Sequence, residues 1–189
     1  MIPLEDRVYL DESGVNCAMI TAYGRSPKGE RAFGTRTRKR GRNTTMAGVI
    51  TGTGDFHVDT LRGAMKGMTF LGFMAASVVP MLRPRQVVIM DNPRIHHIDG
   101  VRQLVEEAQC RLLYLPTYSP ELNPIEECWS KVKAGLRRIK ARTQEVLETA
   151  VQAVARTVTP QDAVGWFAHS DTFLARNQLA SVPIIGAYS

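Results

Sequence analysis

The sequence predicts an α/β fold, a mixed sheet with helices on both faces. Three observations carry that expectation. Short apolar runs at about 7–11, 44–51, 86–90 and 111–115 have the length and composition of strands. The early runs are joined by Gly52-Thr53-Gly54-Asp55, a hairpin turn that makes neighbours antiparallel. From Gln86 onward, strand-like runs alternate with helical periodicity, which is the pattern of parallel β-α-β crossovers. Antiparallel strands followed by crossovers give a mixed sheet buried on both sides.

Each element has its own justification. Residues 5–11 form the first strand, which closes on Asp11 and is broken by Ser13-Gly14. Val15 to Tyr23 reads as a second strand, with a helical alternative open over Cys17 to Ile20. Gly24 to Arg42 has turn residues and charge but no apolar period, so it reads as an exposed loop. Thr44 to Thr51 is a third strand, and Phe56 to Asp59 returns from the turn. Leu61 to Leu82 reads as helix despite Gly63, Gly67 and Gly72, and Pro80 and Pro84 end it. Val87 to Met90 is an unbroken apolar strand that stops at Asp91. Val101, Leu104, Val105 and Ala108 place a helix over 98–108, and Arg111 to Leu115 is the next strand. Asn123-Pro124 starts a helix running to about Arg138, with Ile125, Trp129 and Val132 facing inward. Val146, Leu147, Ala150, Val151 and Val154 share one face of a helix over 143–158, and a weaker helix covers 161–176. We therefore expect one main domain over 1–142, with residues 143–189 as a helical extension packed on it.

Composition narrows the setting. Hydrophobic content of 44% and charged content of 22% are globular values, so the chain has enough apolar surface for a core. Three scattered cysteines form neither a disulfide framework nor a zinc motif, which points to a reducing, cytoplasmic compartment. Met1 to Asp6 lacks the features of a signal peptide. The longest apolar stretch, Met68 to Leu82, is too short and too broken for a membrane span. The net charge of +6 is local: Arg25 to Arg42 holds eight basic residues against Glu30, leaving −1 for the remainder. Such a stripe fits a polyanion such as DNA.

Function is concentrated between Gln86 and Lys133. Asp91 ends a central strand, where open α/β sheets place their sites. Glu126 stands in the first turn of a helix, and Asp11 ends the first strand. Three carboxylates without a Cys/His cluster suit a hard cation such as Mg²⁺ or Mn²⁺. Other readings of the same residues stay open. Asn123 and Glu126 have the spacing of a capping box. Asp91-Asn92-Pro93 is a turn signal. Glu12 competes with Asp11, although alternation along the strand sends the two to opposite faces. His96 and His97 could contact substrate or pack at a helix start. Trp129 reads as core, and Tyr118 lies on a turn that could touch DNA.

The strings LDESG (10–14), VIMDNPRIHH (88–97) and LPTYSPELNPIEECWSKVK (115–133) resemble the DDE catalytic domain of mariner-superfamily transposases, in particular the bacterial insertion-sequence branch. The 34 residues between Asp91 and Glu126 match that family's spacing, and the resemblance spans roughly 5–140. It implies a ribonuclease-H-like fold and a metal triad of Asp11, Asp91 and Glu126 that binds two Mg²⁺ or Mn²⁺ ions. It also implies DNA strand cleavage and strand transfer, with transposon ends and target DNA as partners and a homodimer on DNA. The candidate DNA contacts are Arg36, Arg38, Lys39, Arg40, Arg42, Lys131 and Lys133. Two departures stand out. Pro93 occupies a position where a small residue is expected, and the family's helix-turn-helix DNA reader is not found in the 189 residues, so a separately encoded reader is one expectation. A catalytically silent DNA-binding remnant and a cellular ribonuclease-H-like nuclease are the alternatives.

Overall fold

The computed structural model describes residues 2–20, 25–31, 33, 41–93, 96–117 and 119–176. Its strands are β1 (Arg7–Val15), β2 (Thr44–Thr51), β3 (Phe56–Arg62), β4 (Val87–Met90) and β5 (Arg111–Tyr114). Its α-helices are α1 (Gly67–Phe73), α2 (Asp99–Glu107), α3 (Ile125–Ile139), α4 (Gln144–Ala155) and α5 (Pro160–Arg176). The strands make one sheet in the order β3-β2-β1-β4-β5. β1, β2 and β3 are antiparallel neighbours, whereas β4 lies parallel to β1 and β5 parallel to β4. The sheet is therefore mixed, as the element order predicts.

Alternation along β1 sorts the core into two layers. Val8 and Leu10 pack with Val88 and Met90 against Phe70, Phe73, Val101 and Val105 on the α1/α2 side. Tyr9 packs with Ile89 on the other side, against Trp129, Val132, Val151 and Phe167 from α3, α4 and α5. All four residues of β4 are buried, which is why its sequence shows no polar alternation. Val146, expected on the inner face of α4, is instead exposed, while Leu147, Ala150, Val151 and Val154 are buried.

Three local expectations need correction. Ser13-Gly14 does not break β1, because antiparallel pairing continues through Gly14↔Thr45 to Val15↔Thr44. The strand over 15–23 does not form in its described part: the Asn16 side chain accepts the Ala18 N–H at 2.9 Å, closing a turn, while residues 21–23 lie outside the described residues. The single helix over 61–82 is also wrong. β3 runs on to Arg62, and Gly63 takes φ +101°, a left-handed turn that ends the strand. The helix begins only at Gly67, widens at Met74–Val78 and tightens at Val79–Met81, where Pro80 has no N–H to continue the ladder.

Candidate active site

The parallel ladder between β1 and β4 ends at Leu10↔Met90, so Asp11 and Asp91 leave it side by side at the carboxyl ends of the two strands. Asp11 is not the last residue of its strand, because it still pairs with Gly48 on β2. After β5, a turn through Pro120–Leu122 brings the chain to the start of α3. The capping box does not form there. Pro124 holds the cap position with no side-chain hydrogen bond, and the Asn123 N–H is given to the Pro120 carbonyl at 2.9 Å. The Glu126 carboxylate is thus left for another use, while Asn123 Oδ1 is buried without a hydrogen-bond partner.

Asp11, Asp91 and Glu126 line one cavity of about 300 Å³ together with Asn92, Pro93, Ser119, Pro120 and Asn123. Among the described residues, no histidine or cysteine lines it. Burial pushes the Asp11 carboxyl up to about 7, and the charges of Glu126 and then Asp91 add to the rise, opposed by a hydrogen bond from Trp129. The three carboxylates border one cavity, and the charges of Glu126 and Asp91 act against a charge on Asp11. Their all-oxygen donor set fits a hard divalent ion. Among the described residues, no three Asp, Glu, His or Cys side chains are gathered closely enough to enclose an ion as they stand. The carboxylates border a shared space without converging on one point.

On the opposite face of β1, Glu12 meets a different environment. His96 is fully buried, and its Nε2 lies 2.9 and 3.2 Å from the two Glu12 carboxylate oxygens. Its Nδ1 faces the Asp91 carbonyl at 3.2 Å and lies 3.0 Å from Asp91 Oδ1. Burial alone would pull the imidazole pKa down. The bonds to Asp91 and Glu12 and the charge of Glu12 outweigh that effect and raise it to about 10. His96 is therefore a buried imidazolium, packed against Phe70 in a tilted ring contact with centroids 4.3 Å apart and fixed through its carbonyl by the Tyr114 hydroxyl at 2.9 Å. His97 points elsewhere, stacking on Tyr114 at 4.3 Å and contacting Asn92.

Trp129 is buried as expected, but it is also polar at one atom. Its indole N–H donates to Asp11 Oδ2 at 2.9 Å. Sequence reading missed this bond and the Glu12–His96 bond, which join residues 118 and 84 positions apart. The available signals were the place of Trp129 one turn after Glu126 and the even-numbered place of Glu12 on β1.

Of the basic residues, Arg42 is exposed and Lys133 half-buried, while Lys131 is engaged by the Asp162 carboxylate. That ion pair competes with any phosphate for Lys131. Arg36, Arg38, Lys39, Arg40 and Tyr118 lie outside the described residues.

The family model described as DDE superfamily endonuclease matches residues 6–148. This chain belongs to that family. Among solved structures, it is similar to the Mos1 strand transfer complex, with TM-score 0.67 and 15% identity over 90% of this chain and 53% of that one. The Mos1 mariner paired-end complex with Mn gives 0.65 and 16% over 98% and 57%. The catalytic domain of Mos1 mariner transposase gives 0.61 and 13% over 92% and 83%. The chain thus spans little more than half of the longer Mos1 chains, and at these identities the likeness establishes the fold, a ribonuclease-H-like sheet with flanking helices. No curated protein matches it. Among the described residues, no helix is long and apolar enough to cross a membrane.

Proposed function

We propose that this DDE endonuclease is the catalytic part of a transposase, cutting DNA strands at transposon ends and joining them to target DNA. The observation that carries this reading is the meeting of Asp11, Asp91 and Glu126 at one cavity, from two strand ends and a helix start. The Mos1 structures it resembles include paired-end and strand transfer complexes, and complexes with Mn and with Mg. In this reading, residues 1–142 form the catalytic domain and 143–189 its helical extension.

The three carboxylates would hold Mg²⁺ or Mn²⁺, as a pair of ions. When bound, such ions would supply Lewis-acid chemistry that activates water or a DNA 3′-hydroxyl and offsets charge on the departing 3′-oxygen. The chain's own residues do the rest. Asp11 and Asp91 are fixed in place by the indole of Trp129 and the imidazolium of His96. Glu126, exposed at the start of α3, is the carboxylate with room to move toward its partners. Arg36, Arg38, Lys39, Arg40, Arg42 and Lys133 would hold phosphates without reading bases; Lys131 would first have to leave Asp162. The protein would act in the cytoplasm as a homodimer on DNA, with a separately encoded helix-turn-helix reader selecting the ends.

The test is cleavage and joining of DNA carrying transposon ends in Mg²⁺, with the reader supplied. Wild type should cut, and Asp91→Asn should not while still binding DNA. Binding without cutting by wild type would make the chain a silent remnant. Cutting of RNA–DNA hybrid without strand transfer would make it a cellular nuclease.

A further inference from the structure

Trp129 does more than fill the core. Its ring is 1% exposed, and its N–H is spent on Asp11 Oδ2. An indole N–H so deeply buried must find an acceptor. Here the acceptor is a cavity-lining carboxylate. Trp129 sits three residues after Glu126 on α3, so one rigid helix both presents one carboxylate of the cavity and holds a second.

The opposite side of the ring is equally constrained. Gly48, the residue paired with Asp11 across β1 and β2, leaves no room for a side chain. A Cβ there would come within 2.5 and 2.8 Å of the indole's six-membered ring. Phe56 closes the remaining side edge-on, with ring centroids 5.8 Å apart. The indole is therefore wedged between β2 and α3, with its N–H pointing at Asp11.

We propose that Trp129 is a positioning residue for the cation site: its indole N–H occupies Asp11 Oδ2 and fixes the orientation in which this carboxylate meets metal, with Gly48 as the gap that seats the ring. The inference rests on the metal role proposed above for Asp11. Outer hydrogen-bond partners of metal ligands typically account for 10–100-fold in affinity or activity.

The experiment compares wild type with Trp129→Phe, which keeps an aromatic ring and loses the donor. Mn²⁺ binding is followed by electron paramagnetic resonance, and DNA cleavage is measured across a Mg²⁺ titration. The expected result is about 10-fold weaker Mn²⁺ binding and a matching rise in the Mg²⁺ needed for half-maximal cleavage. A defect of packing alone would lower the melting temperature without moving either metal dependence. Gly48→Ala should shift the metal dependence in the same direction while leaving both partners of the bond chemically intact.

A second readout uses the folded chain without any change at Trp129. The chain has two tryptophans, hence two indole N–H signals by nuclear magnetic resonance. The signal of Trp129 should move on Asp11→Asn and on adding Mg²⁺, and that of Trp166 should stay. Wild type that binds Mn²⁺ and cleaves, matched by Trp129→Phe in metal dependence, overturns the inference alone. So does a Trp129 signal indifferent to Asp11→Asn. Wild type that neither binds Mn²⁺ nor cleaves overturns the proposed function and this inference with it.

Discussion

Asp11 and Glu12 are neighbours on one strand and have opposite fates. Asp11 faces α3, is half-buried near two further carboxylates, and is pushed up to about 7. Glu12 faces the other layer and meets a histidine that carries the opposing charge. The same element, turned by one residue, thus places one carboxylate among other carboxylates on one face and another in an ion pair on the other. Buried charges are retained in proteins when paired. The carboxylate cluster is the half whose oxygens fit an external cation, and the ion pair is the frame beside it. His96 connects the two, since it touches Glu12 with one nitrogen and Asp91 with the other.

The largest effects should come from breaking each half separately. On the cavity side, Asp91→Asn or Glu126→Gln should cost at least about 10³-fold in DNA cleavage, or roughly 4 kcal/mol of barrier, with a melting temperature close to wild type. On the framed side, His96→Ala should cost about 3 kcal/mol of stability by leaving the half-buried Glu12 without its counter-charge. Chemical denaturation measures it. The pair Glu12→Gln with His96→Gln should cost less than His96→Ala, because no charge is then stranded. Equal losses would mean that packing on Phe70 dominates the pairing.

A subtler contrast lies in pH. The folded chain holds a proton on Asp11 up to about pH 7, whereas the unfolded chain releases it near the ordinary carboxyl value of 3.8. Between these values the folded state binds more protons, so metal-free stability should fall as pH rises from about 4 to 7 and carry a constant penalty above that. The two values bound that penalty at about 4 kcal/mol. Asp11→Asn should remove it and stabilise the metal-free protein at pH 8 while abolishing cleavage. His96 runs the other way at high pH. Its pKa is raised in the folded state, so its contribution is complete below about 6.5 and lost as pH climbs through about 10. Denaturation curves of wild type, Asp11→Asn and His96→Gln from pH 4 to 10 separate the two groups. A flat Asp11→Asn difference across pH 4–7 would contradict the assigned burial.

Much of this was legible in the sequence where local physics decides. The unbroken run Val87–Met90 marks a strand covered on both sides, and the alternation along β1 correctly sends Asp11 and Glu12 to different layers. Alternation could not reveal what each residue meets. His96 reaches Glu12 from a segment after β4, and no periodicity encodes that approach. The capping reading of Glu126 failed for a related reason. Asn123 and Pro124 have the right chemistry for a helix start, yet the tight turn at Pro120–Leu122 takes the Asn123 N–H first. The long helix expected over 61–82 failed because local periodicity does not register that β3 extends by pairing with β2 as far as Thr45↔Leu61.

The smallest predicted effect is the sharpest check on the comparison. Glu126 and Glu127 repeat on α3 the arrangement of Asp11 and Glu12 on β1, with one acid at the cavity and its neighbour beside a histidine. Glu127 Oε1 lies 2.7 Å from His169 Nδ1 on α5, but here the histidine is mostly exposed. Solvent screening leaves such a pair worth at most about 1 kcal/mol, against several for the enclosed Glu12–His96 pair. One residue on a helix is also a turn of about 100°, enough to carry Glu127 away from the cavity that Glu126 lines. Glu127→Gln should therefore change stability by under about 1 kcal/mol and leave DNA cleavage within about twofold, equivalent to roughly 0.4 kcal/mol of barrier. Glu126→Gln, the same chemical change one position earlier, should abolish cleavage. If Glu127→Gln also abolished it, the cavity would not be the reacting centre and the assignment of Glu126 would fall.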